Sequence, residues 1–562
     1  MCDTRILSRF FLYQQFGGSE SKKKWSTFVH NGVLFPELYS PHNIPIYYNG
    51  LEVKLPLLAE EYATLYARYL DSEYIQSKIF NKNFFKCWKP TLKGLSIPIE
   101  KLELCDFSNI AKYLEKHKEK KKGITSEQKI AEKEEKDKEE EIYKTAFVDG
   151  KPQPVGNYKM EPPGIFIGRG CHPKLGMIKT RIEPRDVILN LSKDASIPKL
   201  PDFYLDQTSK QKWGKIIHDN KAEWLASWKD TITGKTKYVW LGHKSDFKAR
   251  SDQEKFDKAR RLSTLIDKIR AANIKNLNSK DIHIAQLATA LYFIDKLALR
   301  VGNEKGEDEA DTVGVTSLRY EHIILKPDLI VKLDFLGKDS VRYVNEDIVN
   351  QTVYENLERF LKGKKKGDNL FETVRSTDLN DYLKEFHKDL TAKVFRTFNA
   401  SYVFQQELNA VTEKYEKYDK SDKINILLTM FNKANAKVAL LCNHQKNVTK
   451  GFEEGVDKIN NKIKEYKKEL VELETTFTTN PSDKIKKKIK KIKEYIKSQK
   501  NKKDLKLELK NISLGTSKTN YIDPRITVAF LKKHDIPVEK IFSTTLREKF
   551  FWAFDVNSDW QF

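Results

Sequence analysis

The chain has 562 residues, and its 102 lysines and arginines outweigh 79 aspartates and glutamates to give a net charge of +23. Length allows about two to four domains, and the charge favours a polyanionic partner, DNA or RNA before a membrane surface. We find no apolar run near the roughly 18 residues of a spanning helix, no GxxxxGK[ST] phosphate loop, and no cysteine spacing typical of zinc or disulfides.

The first part of the chain mixes short strands with helices. Turn signals separate short apolar runs over residues 1–110, and three- and four-residue apolar spacing predicts a helix at 56–74. Residues 111–142 are dominated by lysine and glutamate, which predicts a solvated helix with i,i+4 ion pairs. Phosphate contact by its lysine-rich first half is the alternative.

Residues 145–245 have the pattern of strands and loops. The glycine-rich loop EPPGIFIGRGCHPKLG (161–176) leaves backbone N–H groups open beside Arg169, which suits a phosphate contact, although such loops are common. The stretch WLASWKDTITGKTKYVWL (224–241) predicts a β-hairpin with Thr-Gly at its turn.

Residues 255–446 are richer in helix. IHIAQLATALYFIDKLALR (282–300) predicts a buried helix with Gly302 as its C-cap, and 328–344 predicts two strands joined by a turn at 337–339. Helices are predicted at 391–408 and 432–445, with His444 in the last turn of the second. The five carboxylates of 302–312 fit an exposed loop better than a metal site.

Residues 456–503 predict an antiparallel pair of helices. Apolar residues recur every three or four positions, TTNPSD (478–483) interrupts them, and isoleucines resume the pattern. The second arm, 484–503, holds eleven lysines and a single acid, Glu494. A solvated basic face is the plain interpretation, and proximity to a DNA backbone is the one that the net charge favours.

Five residues in chain order could together perform phosphoryl transfer: Arg300, Lys338, Arg396, His444 and Tyr521. A phenol, with a pKa of about 10, is a poor nucleophile unless cations or a base assist it. Attack on phosphorus builds negative charge on non-bridging oxygens, which arginine holds well, and a lysine can protonate the leaving alkoxide. Taken singly, each residue has an ordinary structural explanation, such as packing for Tyr521 or a helix-end charge for Arg300 and His444.

At these positions the sequence resembles eukaryotic type IB DNA topoisomerase. The motifs are FIDKLALRVGNEK (293–305), DFLGKDSVRY (334–343), LTAKVFRTFNAS (390–401), LLCNHQK (440–446) and GTSKTNYIDPRITVA (515–529). The resemblance implies that Tyr521 attacks a DNA phosphodiester and stays on the 3′ end, while Arg300, Arg396 and His444 hold the non-bridging oxygens. It also implies that Lys338 reaches the minor groove and protonates the 5′ oxygen, and that neither ATP nor a metal or other cofactor is needed.

The resemblance further implies a set of DNA contacts and sensitivity to a class of inhibitors. The contacts fall at Lys121, Arg169, Lys237, Tyr238, Lys255, Asn303, Lys305, Thr312, Asp339, Asn380, Thr391, Ala392, Lys393, Lys462 and Asn520. Asn520 matches the position implicated in sensitivity to camptothecin-type inhibitors. The partner is supercoiled duplex DNA, with the chain a monomer in the nucleus. Two departures put local contacts in doubt: Ile167 and Asp246 stand where basic residues are expected.

Two rival functions remain open. A tyrosine recombinase uses the same phosphotyrosine chemistry, but such enzymes typically carry His-x-x-Arg where this chain has Lys393-Val394-Phe395-Arg396. A non-catalytic DNA-binding protein with a decayed site is the second rival, and the presence of all five residues argues against it.

The predicted fold is α+β, a two-lobed DNA clamp. The N-terminal lobe, 1–245, is a mixed α/β cap, and 246–446 is a mostly helical catalytic core like that of tyrosine recombinases. Residues 447–510 form a coiled-coil linker, and 511–562 form a small helical domain that returns Tyr521 to the site.

Overall fold

The computed structural model describes residues 23–95, 97–204, 212–306, 309–415, 423–446, 448 and 451–562. They form two compact units. The first consists of the described residues up to Arg250 together with Gly306–Ala310, and the second consists of Ser251–Lys305 and Asp311–Phe562. The predicted combination of helices and sheets is confirmed, whereas the clamp, the recombinase-like core and the finer domain boundaries stay predictions.

The first unit is built on small sheets. Strand orders are β1-β5-β6, β3-β2-β4, β7-β8 and β10-β9-β11-β12, and in the last of these only β9 and β10 run parallel. The strands are β1 Phe28–Val29, β2 Ile46–Tyr48, β3 Leu51–Val53, β4 Cys105–Asp106, β5 Thr145–Val148, β6 Lys151–Pro154, β7 Gly164–Ile165, β8 Ile178–Lys179, β9 Ile188–Asn190, β10 Lys215–Ile217, β11 Trp224–Lys229 and β12 Thr236–Trp240. The pairing of β11 with β12 confirms the hairpin predicted at 224–241.

Four helices accompany these sheets, and two apolar cores hold the unit together. The helices are α1 Leu57–Ala67, α2 Lys78–Trp88, α3 Ser108–Lys122 and α4 Ser126–Lys144. One core gathers around Phe80, Phe84 and Trp88, and the other around Phe28 and Leu189. Burial of such large side chains is the main stabilising contribution.

The lysine–glutamate segment is helical and mostly exposed, as predicted, but it is two helices rather than one. Helix α3 ends at Lys122 with Gly123 as its C-cap, and α4 begins after Thr125, whose side chain accepts a hydrogen bond from the Gln128 N–H in a capping box. The local cap therefore breaks a segment whose charge pattern alone looks continuous.

The second unit is mostly helical and carries one three-stranded antiparallel sheet, β13-β14-β15. Its strands are β13 Ile323–Lys326, β14 Ile330–Leu336 and β15 Arg342–Ile348. Its helices are α5 Asp246–Leu277, which begins in the first unit, α6 Ile282–Leu297, α7 Gln351–Leu361, α8 Ser376–Phe386, α9 Ala392–Tyr415, α10 Lys423–Leu441, α11 Phe452–Thr479, α12 Asp483–Glu508, α13 Leu514–Asn520, α14 Pro524–Lys533 and α15 Thr544–Lys549. One core packs α6, α7, α8 and the sheet, and a second packs α9 and α10 against the C-terminal helices.

Two predicted helix ends are wrong. Helix α6 ends at Leu297, and its C-cap is Ala298 in the left-handed conformation, with φ 49°, rather than Gly302. Gly302 serves a different purpose, because a Cβ there would lie 2.7 Å from the Cα of Gly314. Helix α10 ends at Leu441, so that His444 lies beyond the last turn.

The predicted antiparallel pair is confirmed as α11 and α12. Ile459 and Ile463 of α11 and Ile492 and Ile496 of α12 are buried along one seam, whereas Val471 is 62% exposed. None of the helices within the described residues is long and apolar enough to cross a membrane.

Candidate active site

Tyr521 lies at a junction between two short helices. It follows α13, where its N–H donates to the Ser517 carbonyl at 2.9 Å, and its own carbonyl accepts from Ser401 Oγ at 3.0 Å. Two residues later the buried Asp523 caps α14 by accepting from the Arg525 N–H at 3.0 Å. The backbone on both sides of the phenol is therefore fixed.

Arg300 reaches the phenol from a segment that follows α6. Its carbonyl accepts from the Val315 N–H at 2.9 Å, and the close approach of Gly302 to Gly314 needs two residues without side chains. Arg300 Nη2 donates a hydrogen bond to the Tyr521 hydroxyl at 2.9 Å. The guanidinium is thus held at the oxygen that would act as nucleophile.

Arg396 projects from α9 and is only 7% exposed. Its Nη1 donates to the Ala298 carbonyl at 2.6 Å and its Nη2 to the carbonyl of the buried Cys442, while its guanidinium carbon lies 5.1 Å from the centre of the Tyr521 ring. Its Nε has no hydrogen-bond partner among the described residues. Burial, the largest cause, and the nearby Arg300 lower the pKa of Arg396.

His444 stacks on the phenol, with ring centroids 5.2 Å apart and planes 27° apart. Its Nδ1 lies 2.7 Å from Ser517 Oγ, and its Nε2 is buried with no hydrogen-bond partner within the described part of the chain. Burial, then the charges of Arg396 and Arg300, lower the pKa of His444 to about 3. The imidazole is therefore neutral near pH 7.

Lys338 occupies the tip of the β14–β15 hairpin, as predicted, and is exposed. Asp339 and Ser340 have positive φ, 67° and 58°, which a turn this tight requires. The structure does not join Lys338 to the other four residues, since no hydrogen bond or ion pair of its ammonium is found among the described residues. The hairpin contacts the segment of His444 close to its tip, where the Arg342 carbonyl accepts from the side-chain amides of Asn443 and Gln445, each at 3.3 Å.

The gathered groups could bind an anion beside the phenol. Two guanidinium groups and the imidazole, whose Nε2 has no partner within the described residues, surround Tyr521. Backbone carbonyls orient Arg396, and the Ser517 hydroxyl orients His444. Such preorganised donors stabilise charge that develops on phosphate oxygens. Across the described ranges, no group of three or more His, Cys, Asp or Glu side chains is placed to hold a metal ion.

Four of the candidate DNA contacts lie in the first unit. Lys121, in the last turn of α3, and Arg169, in the glycine-rich loop, are exposed. Lys237 Nζ bonds Glu161 at 2.9 Å and Asp230 at 3.1 Å, and Tyr238 packs between two tryptophans.

The departure at Ile167 is partly buried against the first core. The departure at Asp246 begins α5 and accepts from the Gln153 side-chain amide at 3.2 Å. Both residues therefore have structural roles.

The other eleven lie in the second unit, where they do not form one cluster by hydrogen bonds. The exposed ones are Asn303, Lys305, Asp339, Lys393, Lys462 and Asn520, and the half-buried ones are Lys255, Thr312, Asn380 and Thr391. Ala392 is buried, and its N–H donates to Asn380 Oδ1 at 3.0 Å, so that this pair holds the start of α9. The DNA contacts stay predictions.

Two serines of the site, Ser517 and Ser401, are not predicted from the sequence. Ser517 bonds the imidazole of His444, and Ser401 Oγ donates to the Tyr521 carbonyl and accepts from the Asp523 N–H. Both lie inside motifs quoted above, but serine is a common residue and nothing local marks a hydroxyl whose partner is remote in sequence.

Comparison with known proteins shows to which family the chain belongs. A model described as "Eukaryotic DNA topoisomerase I, catalytic core" matches residues 244–477, and "Eukaryotic DNA topoisomerase I, DNA binding fragment" matches 23–241. "C-terminal topoisomerase domain" matches 493–562. The chain belongs to the eukaryotic DNA topoisomerase I family. Membership of this family assigns it to the type IB isomerases.

Curated topoisomerases resemble the chain over most of its length. "DNA topoisomerase 1" of Caenorhabditis elegans is 44% identical over 95% of this chain and 67% of the relative, and that of Homo sapiens is 42% identical over 96% and 72%. "DNA topoisomerase 1 alpha" of Arabidopsis thaliana is 43% identical over 97% of this chain and 60% of the relative. The chain thus spans roughly two thirds of the length of these topoisomerases.

Proposed function

We propose that this topoisomerase I family member relaxes supercoiled duplex DNA by cutting and resealing one strand through a bond between Tyr521 and a 3′ phosphate. The observation that carries the proposal is the hydrogen bond of Arg300 Nη2 to the Tyr521 hydroxyl, with Arg396 and His444 against the same ring. A phenol that only packs in a core has no need of two neighbouring guanidinium groups.

In the first step the Tyr521 oxygen forms a bond to phosphorus, and the proton of its hydroxyl passes to solvent water. Negative charge then grows on the two non-bridging oxygens. Arg300, Arg396 through its unpartnered Nε, and His444 through Nε2 are the groups that stabilise it. Their donors are held before DNA arrives, so little reorganisation is needed during the reaction.

In the second half of the step the bond to the 5′ oxygen breaks, and Lys338 supplies the proton that this alkoxide needs. The exposed position of this lysine at a hairpin tip supports the proposal that it enters a groove of the duplex. Resealing reverses the step. One phosphodiester is exchanged for another of similar energy, so the reaction uses neither ATP nor a metal.

The proposed partner is duplex DNA, bound by a monomer in the nucleus through the lysines, arginines and polar residues named above. A net charge of +23 supports binding to its phosphates. Asn520 is exposed beside the nucleophile, and we place the contact with a camptothecin-type inhibitor there.

The test is relaxation of supercoiled plasmid with EDTA present and ATP absent, followed by trapping with detergent. Wild type should relax the plasmid and leave protein attached to 3′ phosphates. Tyr521→Phe should abolish both while salt-sensitive DNA binding persists. Tyr402→Phe is the matched control, since Tyr402 is 46% exposed on α9.

Relaxation at the wild-type rate by Tyr521→Phe would contradict the nucleophile. A 5′ adduct, or dependence on magnesium or ATP, would contradict the type of reaction. Strand exchange only at specific sites would favour a recombinase.

A further inference from the structure

We propose that Ser517 is a positioning residue that fixes the tautomer of His444, by donating its hydroxyl hydrogen to Nδ1 so that Nε2 carries the hydrogen offered to the phosphate. This inference rests on the proposed function, because it names the group that keeps one of the phosphate donors in its working form.

Ser517 lies at the centre of the site although no charge marks it. Its side chain is fully buried, and Oγ lies 2.7 Å from His444 Nδ1. Its carbonyl accepts from the N–H groups of Tyr521 at 2.9 Å and Ile522 at 3.0 Å. One residue therefore contacts the imidazole with its side chain and the nucleophile segment with its backbone.

The direction of the hydrogen bond follows from the partners of the hydroxyl. Nδ1 is the hydrogen-bond partner that the structure gives Ser517 Oγ among the described residues. If Nδ1–H donated to Oγ, the hydroxyl hydrogen would be buried without an acceptor, which is costly. If the hydroxyl donates, both groups are satisfied and the single hydrogen of the neutral ring sits on Nε2.

The charges around the ring agree with this direction. Arg300 and Arg396 both disfavour an imidazolium, so the ring carries one hydrogen rather than two. A neutral ring with its hydrogen on Nδ1 would direct the lone pair of Nε2 toward the phosphate oxygens. That lone pair and those of the oxygens would then repel each other. The tautomer therefore decides whether His444 attracts or repels the reacting group.

The direct test is nitrogen NMR of wild-type protein labelled with ¹⁵N-histidine. His444→Gln, which removes one signal, identifies the resonances of this residue. Nε2 should show the shift of a protonated nitrogen and Nδ1 that of an acceptor. A hydrogen on Nδ1 in wild type would overturn the inference whatever any variant does.

The kinetic test compares Ser517→Ala with Ser513→Ala and Ser517→Thr. Ser517→Ala should slow single-turnover cleavage about 10-fold, the effect of one lost buried hydrogen bond, while DNA affinity is unchanged. It should also shift part of the Nε2–H population to Nδ1–H. Ser517→Thr, which keeps a hydroxyl, should restore the rate.

Ser513→Ala is the matched control because its hydroxyl lies in the same segment but bonds Thr516 at 3.1 Å. A wild-type rate and tautomer in Ser517→Ala would refute the inference and leave the proposed function intact. Failure of the proposed function has a different signature, since Tyr521→Phe would then relax plasmid.

Discussion

Arg396 is a buried cation without a carboxylate partner among its described hydrogen bonds. Its two terminal nitrogens bond backbone carbonyls of Ala298 and Cys442, and its Nε bonds nothing in the described chain. A cation buried in this way costs stability unless an anion joins it. We interpret the arrangement as a site prepared for a phosphate oxygen.

Replacing Arg396 with lysine should lower the cleavage rate about 100-fold, within the range found for removing one donor to a transition-state oxyanion. Lysine keeps the charge but cannot reach both carbonyls and also present a third donor. The measurement is single-turnover cleavage, with Arg359→Lys, an exposed residue of α7, as the control. An equal loss in both variants would contradict the role.

The lowered pKa of His444 should also make the unfolding free energy depend on pH. Its pKa is about 3 in the folded chain and about 6.5 when unfolded. Its neutral form is stabilised by folding, so the contribution is complete above pH 6.5 and is lost as the pH falls toward 3. The difference in unfolding free energy between wild type and His444→Gln should therefore shrink from pH 7 to pH 4, as measured by denaturant titration. Parallel curves would contradict the lowered pKa.

Among the elements, the α11–α12 pair depends on a narrow apolar seam. Ile463→Ala should destabilise the pair by about 2 kcal/mol, the lower end of the range for a buried aliphatic side chain, because the seam borders solvent. Val471→Ala, on the exposed side of α11, should change stability by less than about 0.5 kcal/mol. Hydrogen exchange of α11 and α12 would measure both, and similar protection in the two variants would refute the seam.

At the scale of the whole molecule, buried ion pairs fasten the C-terminal segment to α5. Arg525 pairs with Asp523 and with Asp257 of α5, both at 2.8 Å, and Lys549 Nζ lies 2.6 Å from Asp252 of the same helix. The segment that carries Tyr521 is thus fixed to a helix more than 250 residues away in sequence. Removing one member of a buried pair is costly because the remaining charge loses part of its compensation.

Lys549→Met should destabilise the second unit by about 2 kcal/mol, less than the full cost of breaking a buried pair, because Lys255 Nζ, 3.6 Å from Asp252, still compensates part of the buried charge. Lys540→Met replaces an exposed lysine of the same segment and should be nearly neutral. Thermal unfolding of both variants measures this, and equal melting temperatures would contradict the role of the pair.

The elements that the sequence predicts well have local causes. The β14–β15 hairpin follows from a turn of glycine and aspartate, and the helical pair follows from periodic isoleucines. The ends of α6 and α10 were misplaced because long-range contacts set them. Ala298 is left-handed where its carbonyl meets Arg396, almost a hundred residues later. Ser517 was missed for the same reason, since its imidazole partner is 73 residues away.

Because the thiol of Cys442 is buried close to Arg396, its chemical labelling can report how often the site opens. Cys442 is only 1% exposed, and its backbone carbonyl accepts a hydrogen bond from Arg396, whereas Cys171 is exposed to solvent. An alkylating reagent can reach Cys442 only when the residues packed around Tyr521 move apart. The ratio of its labelling rate to that of Cys171 would therefore measure the frequency of such openings, in the free protein and in the complex with DNA.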